Sequence, residues 1–389
     1  MYVRTSEALG PVPSSFCYDS SINGVGDNIL RKPVLLTHYH VRKALNPGAG
    51  LLSDPDASVM TAAQMRPGFV EVTDPRRVSL QKELTKLVQD KYQSAVSPKV
   101  NLRIALVDLT EAKHHTPIFA GSSAFNASNP GGEETVEGDS LVKILALYAV
   151  YQLRFDLNTF ATRNGINKGG VLQVSIAKEW KKAGLQSQPK LTGLFQFAEK
   201  AGSSVEARLR RTPAIHGNWA ARALIIALGF EYIGSVALQS GLFDEKQGGL
   251  WLRAAYEKPA LTWWSSPFPT LPRHSATALS AATFFTLLTQ GRLVDQASSN
   301  EIAKVLKSNQ CMKNGLLDGV KQLPGAPPAS ANKCGLVHPR YHEAIQMIRQ
   351  SAVAKRLEYV AVVLSEEPPA LDFTQLGKDL DGIIAKQNP

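Results

Sequence analysis

Long apolar runs are missing from this chain. No stretch approaches about eighteen consecutive apolar residues, so none has the length and hydropathy of a transmembrane helix. The opening Met1-Tyr2-Val3-Arg4-Thr5-Ser6-Glu7 lacks the basic segment and apolar stretch of a secretory leader. The expectation is a cytoplasmic protein, or else a periplasmic or secreted one whose leader was removed. Cysteine is scarce as well: Cys17, Cys311 and Cys334 are the three, none in a C-x-x-C pair. That excludes a disulfide-dense scaffold, and the odd count leaves at least one thiol free. Cys311 and Cys334 can bridge a loop in an oxidising compartment, and a reducing one keeps them as thiols.

Acid is in deficit too. Lys and Arg number 43 against 33 for Asp and Glu, a formal charge of +10, which invites an anionic partner. The charges are scattered, however. The densest basic run, Arg208-Leu209-Arg210-Arg211, is short and carries no aromatic residues, so no nucleic-acid partner is expected. His38 and His40, and the pair His114 and His115, lack a third ligand at metal-site spacing, and no metal or other cofactor is expected.

What is present is the composition of an ordinary globular protein, 44% hydrophobic and 20% charged. Residues 1–78 are rich in Gly, Pro, Ser and Asp and read as an irregular extension. Helical spacing begins at Ser79 and predicts a helix over 79–94. Val100–Asp108 and Thr116–Ser122 read as a strand pair, and Asp139–Asp156 as an apolar helix capped by Asp139 or Ser140. Further helices are expected over 172–183, 191–201, 219–228, 232–238 and 276–290. Strand signals return at 331–337 and 357–364, and a helix over 372–386 ends the chain.

Strands from the two ends must share a sheet if neither is to be left unpaired. The expectation is therefore an α+β fold: an antiparallel sheet from both chain ends, flanked by helices. A helical lobe, about 139–308, is inserted between sheet segments 99–122 and 331–364, within a domain spanning 79–389.

A serine hydroxyl becomes a nucleophile when a nearby base removes its proton. A lysine at i+3 on the same helix face serves, provided burial lowers its pKa from about 10.4 toward neutrality. S-x-x-K occurs at Ser79–Lys82, Ser140–Lys143, Ser175–Lys178 and Ser330–Lys333. Ser79 belongs to a polar surface helix, Ser175 to a charged one, and Ser330 to a loop. Ser140 alone opens a fully apolar helix, whose first N–H groups also favour an oxyanion. The alternative is a plain N-cap serine followed by a lysine that reaches solvent.

The segment Gly138-Asp139-Ser140-Leu141-Val142-Lys143, with Arg103–Asp108 and Phe119-Ala120-Gly121 before it and Lys333-Cys334-Gly335 near the end, resembles the penicillin-recognising serine hydrolases. The resemblance is to the class A β-lactamase group in particular, over about residues 79–388. It implies acylation of Ser140, with Lys143 as base and Lys333, Cys334 and Gly335 as the substrate-binding strand. The third signature falls on His216-Gly217-Asn218, where Asn218 keeps the orienting amide and His216 replaces a proton-passing serine. The deacylating glutamate falls nearest to Glu257, without the E-x-x-L-N pattern, and Glu257 reads equally as a surface residue. A small-molecule substrate is implied: a β-lactam, a peptidoglycan peptide or an ester. The competing reading is a non-catalytic protein that keeps the fold to bind a ligand or partner.

Overall fold

The computed structural model describes residues 69–389 apart from 72, 93–100, 111–116, 123–134, 167–168, 183–194, 199–205, 210–216, 245–246, 257–267, 269, 308–310, 312, 326–327, 352–354 and 367–370. His38, His40, His114, His115, His216, Glu257 and Cys17 therefore lie outside the described residues, as does nearly all of the 1–78 segment.

Helix α1 (Pro75–Leu87) starts earlier than its apolar spacing suggested. Asp74 accepts the Arg76 N–H at 2.8 Å, and Pro75 fills the first helical position, where no N–H is needed. Strands β1 (Asn101–Asp108) and β2 (Ile118–Ser122) follow. A 3₁₀ turn, Asp139–Val142, runs without a break into α2 (Lys143–Arg163), and α3 (Gly169–Lys182) comes next.

The helix expected over 191–201 is instead a hairpin, β3 (Phe195–Ala198) with β4 (Glu206–Leu209). Phe195-Gln196-Phe197 alternates with period two, the strand signature that the neighbouring leucines had masked. Helices α4 (Asn218–Leu228), α5 (Phe230–Gln239), α6 (Ala278–Thr289), α7 (Gln296–Lys307) and α8 (Leu316–Lys321) continue the chain. Strands β5 (Ala329–Val337), β6 (Arg340–Gln350) and β7 (Arg356–Glu366) and helix α9 (Phe373–Gln387) end it. No single helix among the described residues is long and apolar enough to cross a membrane.

The main sheet is antiparallel, in the order β5-β6-β7-β1-β2. Both chain ends contribute to it, because β1 pairs along its whole length with β7, from Asn101 opposite Glu366 to Asp108 opposite Tyr359. This is the expected α+β architecture. Alternation sorts the side chains. Leu357, Tyr359, Ala361 and Val363 of β7, with Leu102, Ile104 and Leu106 of β1, enter a core shared with α1, α8 and α9. The residues between them face the layer of α6, which packs on β1, β6 and β7.

By compactness the described chain divides into two units. The sheet unit comprises 69–142, Leu242–Leu250 and His274–Pro389, and includes α6 and α7. The helical unit comprises Lys143–Gly241 and Trp251–Arg273, with the β3–β4 hairpin among its helices. Within the helical unit α2 packs against α4 and α5. Gly234 lets α5 approach Trp251, whose ring would lie 2.7 Å from a Cβ at that position.

Strand β6 was invisible to pattern reading because His342, Glu343, Gln346 and Arg349 break its apolar alternation, although all four are buried. Two of them tie helices to the sheet. Arg349 forms a forked pair with Asp381, which also accepts the Tyr359 hydroxyl at 2.9 Å. Glu343 accepts the Leu316 N–H at 2.7 Å and the Tyr341 hydroxyl at 2.8 Å, tying α8 to the sheet.

Burial pushes the Glu343 carboxyl above its ordinary 4.5. An acid whose folded pKa is raised costs stability as pH climbs from its unfolded value through its folded one. Glu343→Gln keeps the accepting oxygen and abolishes the charge. Its melting temperature is expected to match wild type near pH 4.5 and to exceed it as the pH rises above that, measured by calorimetry. Glu343→Ala, which orphans both donors, is expected to lose about 1–3 kcal/mol per donor.

Candidate active site

In the sheet unit, Ser140 is half-buried on the 3₁₀ turn, and its hydroxyl makes no hydrogen bond among the described residues. It sits on a 3₁₀ turn rather than in the first turn of an α-helix as expected, and Asp139 before it adopts φ +48°. Asp139 is held from a strand. Its carboxylate receives Arg340 Nη2 at 2.9 Å and Nε at 3.1 Å.

Strand β5 lies directly against this turn. A Cβ at Gly335 would stand 2.6 Å from the Gly138 carbonyl oxygen and 3.1 Å from the Leu141 nitrogen. Only a glycine allows that approach. The turn and the strand Lys333-Cys334-Gly335, distant in sequence, are thus neighbours. Ser330, expected in a loop, is on the same strand. Lys333 is 3% exposed and donates to the Cys334 carbonyl at 2.7 Å. Cys334 is bridged to Cys311, with Cα atoms 5.8 Å apart. The thiol anticipated at the middle of this motif is therefore absent, and the position has no S–H to donate.

In the helical unit, Lys143 is the first residue of α2 and is 1% exposed. Its ammonium donates to Asn218 Oδ1 at 2.8 Å and lies 4.6 Å from the centre of the Tyr256 ring. Asn218 opens α4, so two helix starts bring the pair together. The amide oxygen and the ring face both favour the charged form. Burial opposes them and wins, lowering the Lys143 pKa from 10.5 to about 8.

No family model matches the chain, and no curated protein matches it. Solved structures similar to it include the following three. The β-lactamase of Sphaerobacter thermophilus is 15% identical, with a TM-score of 0.44 over 76% of this chain and 95% of that one. A mutant of the class A β-lactamase of the last common ancestor of Gram-negative bacteria is 15% identical, with a TM-score of 0.45 over 77% and 95%. A mutant of PBP-A in acyl-enzyme complex with penicillin G is 15% identical, with a TM-score of 0.38 over 79% and 97%.

Of the residues singled out from sequence, the structure brings Lys143 to Asn218, and the Ser140 turn to Lys333, Cys334 and Gly335. Sequence reading missed Tyr256 and Arg340; it left the Cys311–Cys334 bridge open, and the structure forms it. Tyr256 had a signal in hindsight, since it directly precedes Glu257. Arg340 had none, because it lies on the strand that pattern reading did not find. Of the other S-x-x-K pairs, Ser79, Lys82 and Lys178 are exposed, whereas Lys333 of the Ser330 pair is buried.

Burying the Lys143 charge has a measurable cost. Below about pH 8 the ammonium is charged folded and unfolded, and the full penalty applies. Between about 8 and 10.5 the unfolded chain binds the extra proton, so stability rises with pH. Lys143→Met is expected to be more stable than wild type at pH 7, with the advantage shrinking from pH 8 to 10.5 in denaturant titrations.

Proposed function

We propose that this protein is a serine acyl-transfer enzyme of the β-lactamase and penicillin-binding type, acylated at Ser140. The observation that carries the reading is a lysine 1% exposed, with its pKa brought to about 8 and an amide oxygen on its Nζ, at i+3 from a serine on one continuous helical run. A surface lysine stays protonated far above neutral pH and is no base there.

The chemistry follows. Ser140 Oγ bonds to the carbonyl carbon while its proton passes to neutral Lys143. The oxyanion is held by the Ser140 N–H and by one from β5 near Cys334 or Leu336. Collapse breaks the carbon–nitrogen bond of a β-lactam or peptide, or the carbon–oxygen bond of an ester. The leaving atom takes the proton from the Lys143 ammonium, directly or through His216. Asn218 orients Lys143, and Lys333 attracts a substrate carboxylate. Water completes the turnover, with Glu257 as its base; without a working Glu257 the acyl-enzyme persists. The substrate class is a β-lactam, a peptidoglycan peptide or a related ester. The Cys311–Cys334 bridge supports a periplasmic or secreted location, where disulfides persist.

The same bridge favours the second reading, a ligand- or partner-binding protein that has lost catalysis. The position where the resembled family carries a hydroxyl here offers no donor.

Incubation with a fluorescent penicillin or a fluorophosphonate, read by intact mass, separates the two. The expected result is a single adduct on wild type, none on Ser140→Ala, and labelling slowed about 10²–10⁴-fold in Lys143→Ala. The labelling rate of wild type should climb with pH and level off above about 8, because only the neutral amine accepts the proton. Absence of any Ser140-dependent adduct would leave the binding-protein reading standing.

A further inference from the structure

The backbone before Ser140 is held from one strand. Asp139 is at φ +48°, in the left-handed region that residues other than glycine enter at an energetic cost. Such a conformation persists only where its surroundings impose it. The sheet unit supplies the contacts that follow. Arg340 grips both oxygens of the Asp139 carboxylate, through Nη2 at 2.9 Å and Nε at 3.1 Å.

Two residues further along β6, His342 Nε2 lies 2.8 Å from the Glu137 carbonyl oxygen. The Ser365 N–H donates to the other ring nitrogen at 3.2 Å, which fixes the proton on Nε2 as the donor to Glu137. Arg340 and His342 share a face of the strand by its period of two, while Tyr341 and Glu343 point to the opposite core. The Gly138 N–H donates to the His274 carbonyl, and the Leu141 N–H closes the turn on the Gly138 carbonyl at 3.0 Å. Asp139 itself is 5% exposed, so its carboxylate has exchanged most of its water for the guanidinium.

We infer that Arg340 is a positioning residue: its two-pronged hold on Asp139, backed by His342 on the Glu137 carbonyl, imposes the left-handed bend that presents Ser140. The hold is read from the contacts above, and only its kinetic consequence rests on the acyl-transfer reading. Nothing in the motif Ser140–Lys143 encodes it. It requires a strand contributed about two hundred residues later in the chain.

The test compares Arg340→Ala in two backgrounds, wild type and Asp139→Gly. Glycine enters the left-handed region without penalty and has no carboxylate to be gripped. In the wild-type background Arg340→Ala is expected to slow Ser140 labelling by a fluorescent penicillin about tenfold at saturating probe, with the half-saturating concentration little changed. In the Asp139→Gly background the same substitution is expected to cost less than about twofold.

An equal penalty in both backgrounds, or one confined to the half-saturating concentration, would mean that Arg340 touches the substrate, and would overturn the inference. A lower melting temperature with unchanged labelling of the folded protein would overturn it too. Arg340→Lys, which keeps the charge and loses the fork, guards against a variant that fails to fold and should be intermediate.

Hydrogen exchange at the Leu141 amide gives a readout independent of activity. It is expected to quicken in Arg340→Ala, and an unchanged rate would sink the proposal. If wild type is not labelled at all, the acyl-transfer reading fails, and the exchange measurement alone decides on the hold.

Discussion

An ammonium group out of water is the constraint on which the rest depends. Lys143 begins a helix that is buried without interruption through Leu153, and the sequence there is apolar apart from Gln152 and the hydroxyls of Tyr148 and Tyr151. Among the described residues the charge is met by one amide oxygen and one aromatic face, with no carboxylate. That choice matters. A carboxylate would hold the lysine protonated, whereas a neutral amide orients it and leaves burial to lower its pKa. The cost in stability is a recurring feature of sites built for chemistry, where local rules are broken and the remaining fold compensates.

The compensation is visible in the sheet unit. Strand β6 carries buried His342, Glu343, Gln346 and Arg349 and half-buried Arg340, and four of these five are engaged: Arg340 and His342 toward the serine turn, Glu343 toward α8, and Arg349 toward α9. A central strand of this kind stabilises little by hydrophobic burial of its own. It fastens elements that surround the sheet, and buried polar groups that are satisfied specify one arrangement over its competitors. Glycine does the complementary work at two places. Gly335 lets β5 touch the turn, and Gly138 sits where a Cβ would meet Ala276 at 2.6 Å.

Much of this was legible beforehand, for reasons that differ by element. Helix α2 announced itself by apolar residues on every face, and β7 by an unbroken apolar run, since both follow from burial on all sides. That strands from both chain ends share one sheet followed from the need to leave none unpaired. The 195–198 segment misled because short apolar runs satisfy two periods at once. Strand β6 escaped because its polar residues are balanced by partners far away in the chain, and no local window contains those partners.

The candidate site divides along the same line. Local spacing sufficed to single out Ser140 and Lys143, because an i, i+3 pair at the start of an apolar helix needs only one helical turn to be defined. Lys333, Cys334 and Gly335 were found by order along the chain. The bridge to Cys311, the ring of Tyr256 over the lysine and the grip of Arg340 on Asp139 were decided only in three dimensions. The sequence by itself determined elements such as α2, β1 and β7 and singled out Lys143 as the candidate base, since propensity and hydrophobic patterning act over short windows. Which side chains meet that amine and that serine was left to the tertiary structure, because such contacts join residues that only the paired sheet and the packed helices bring within hydrogen-bond reach.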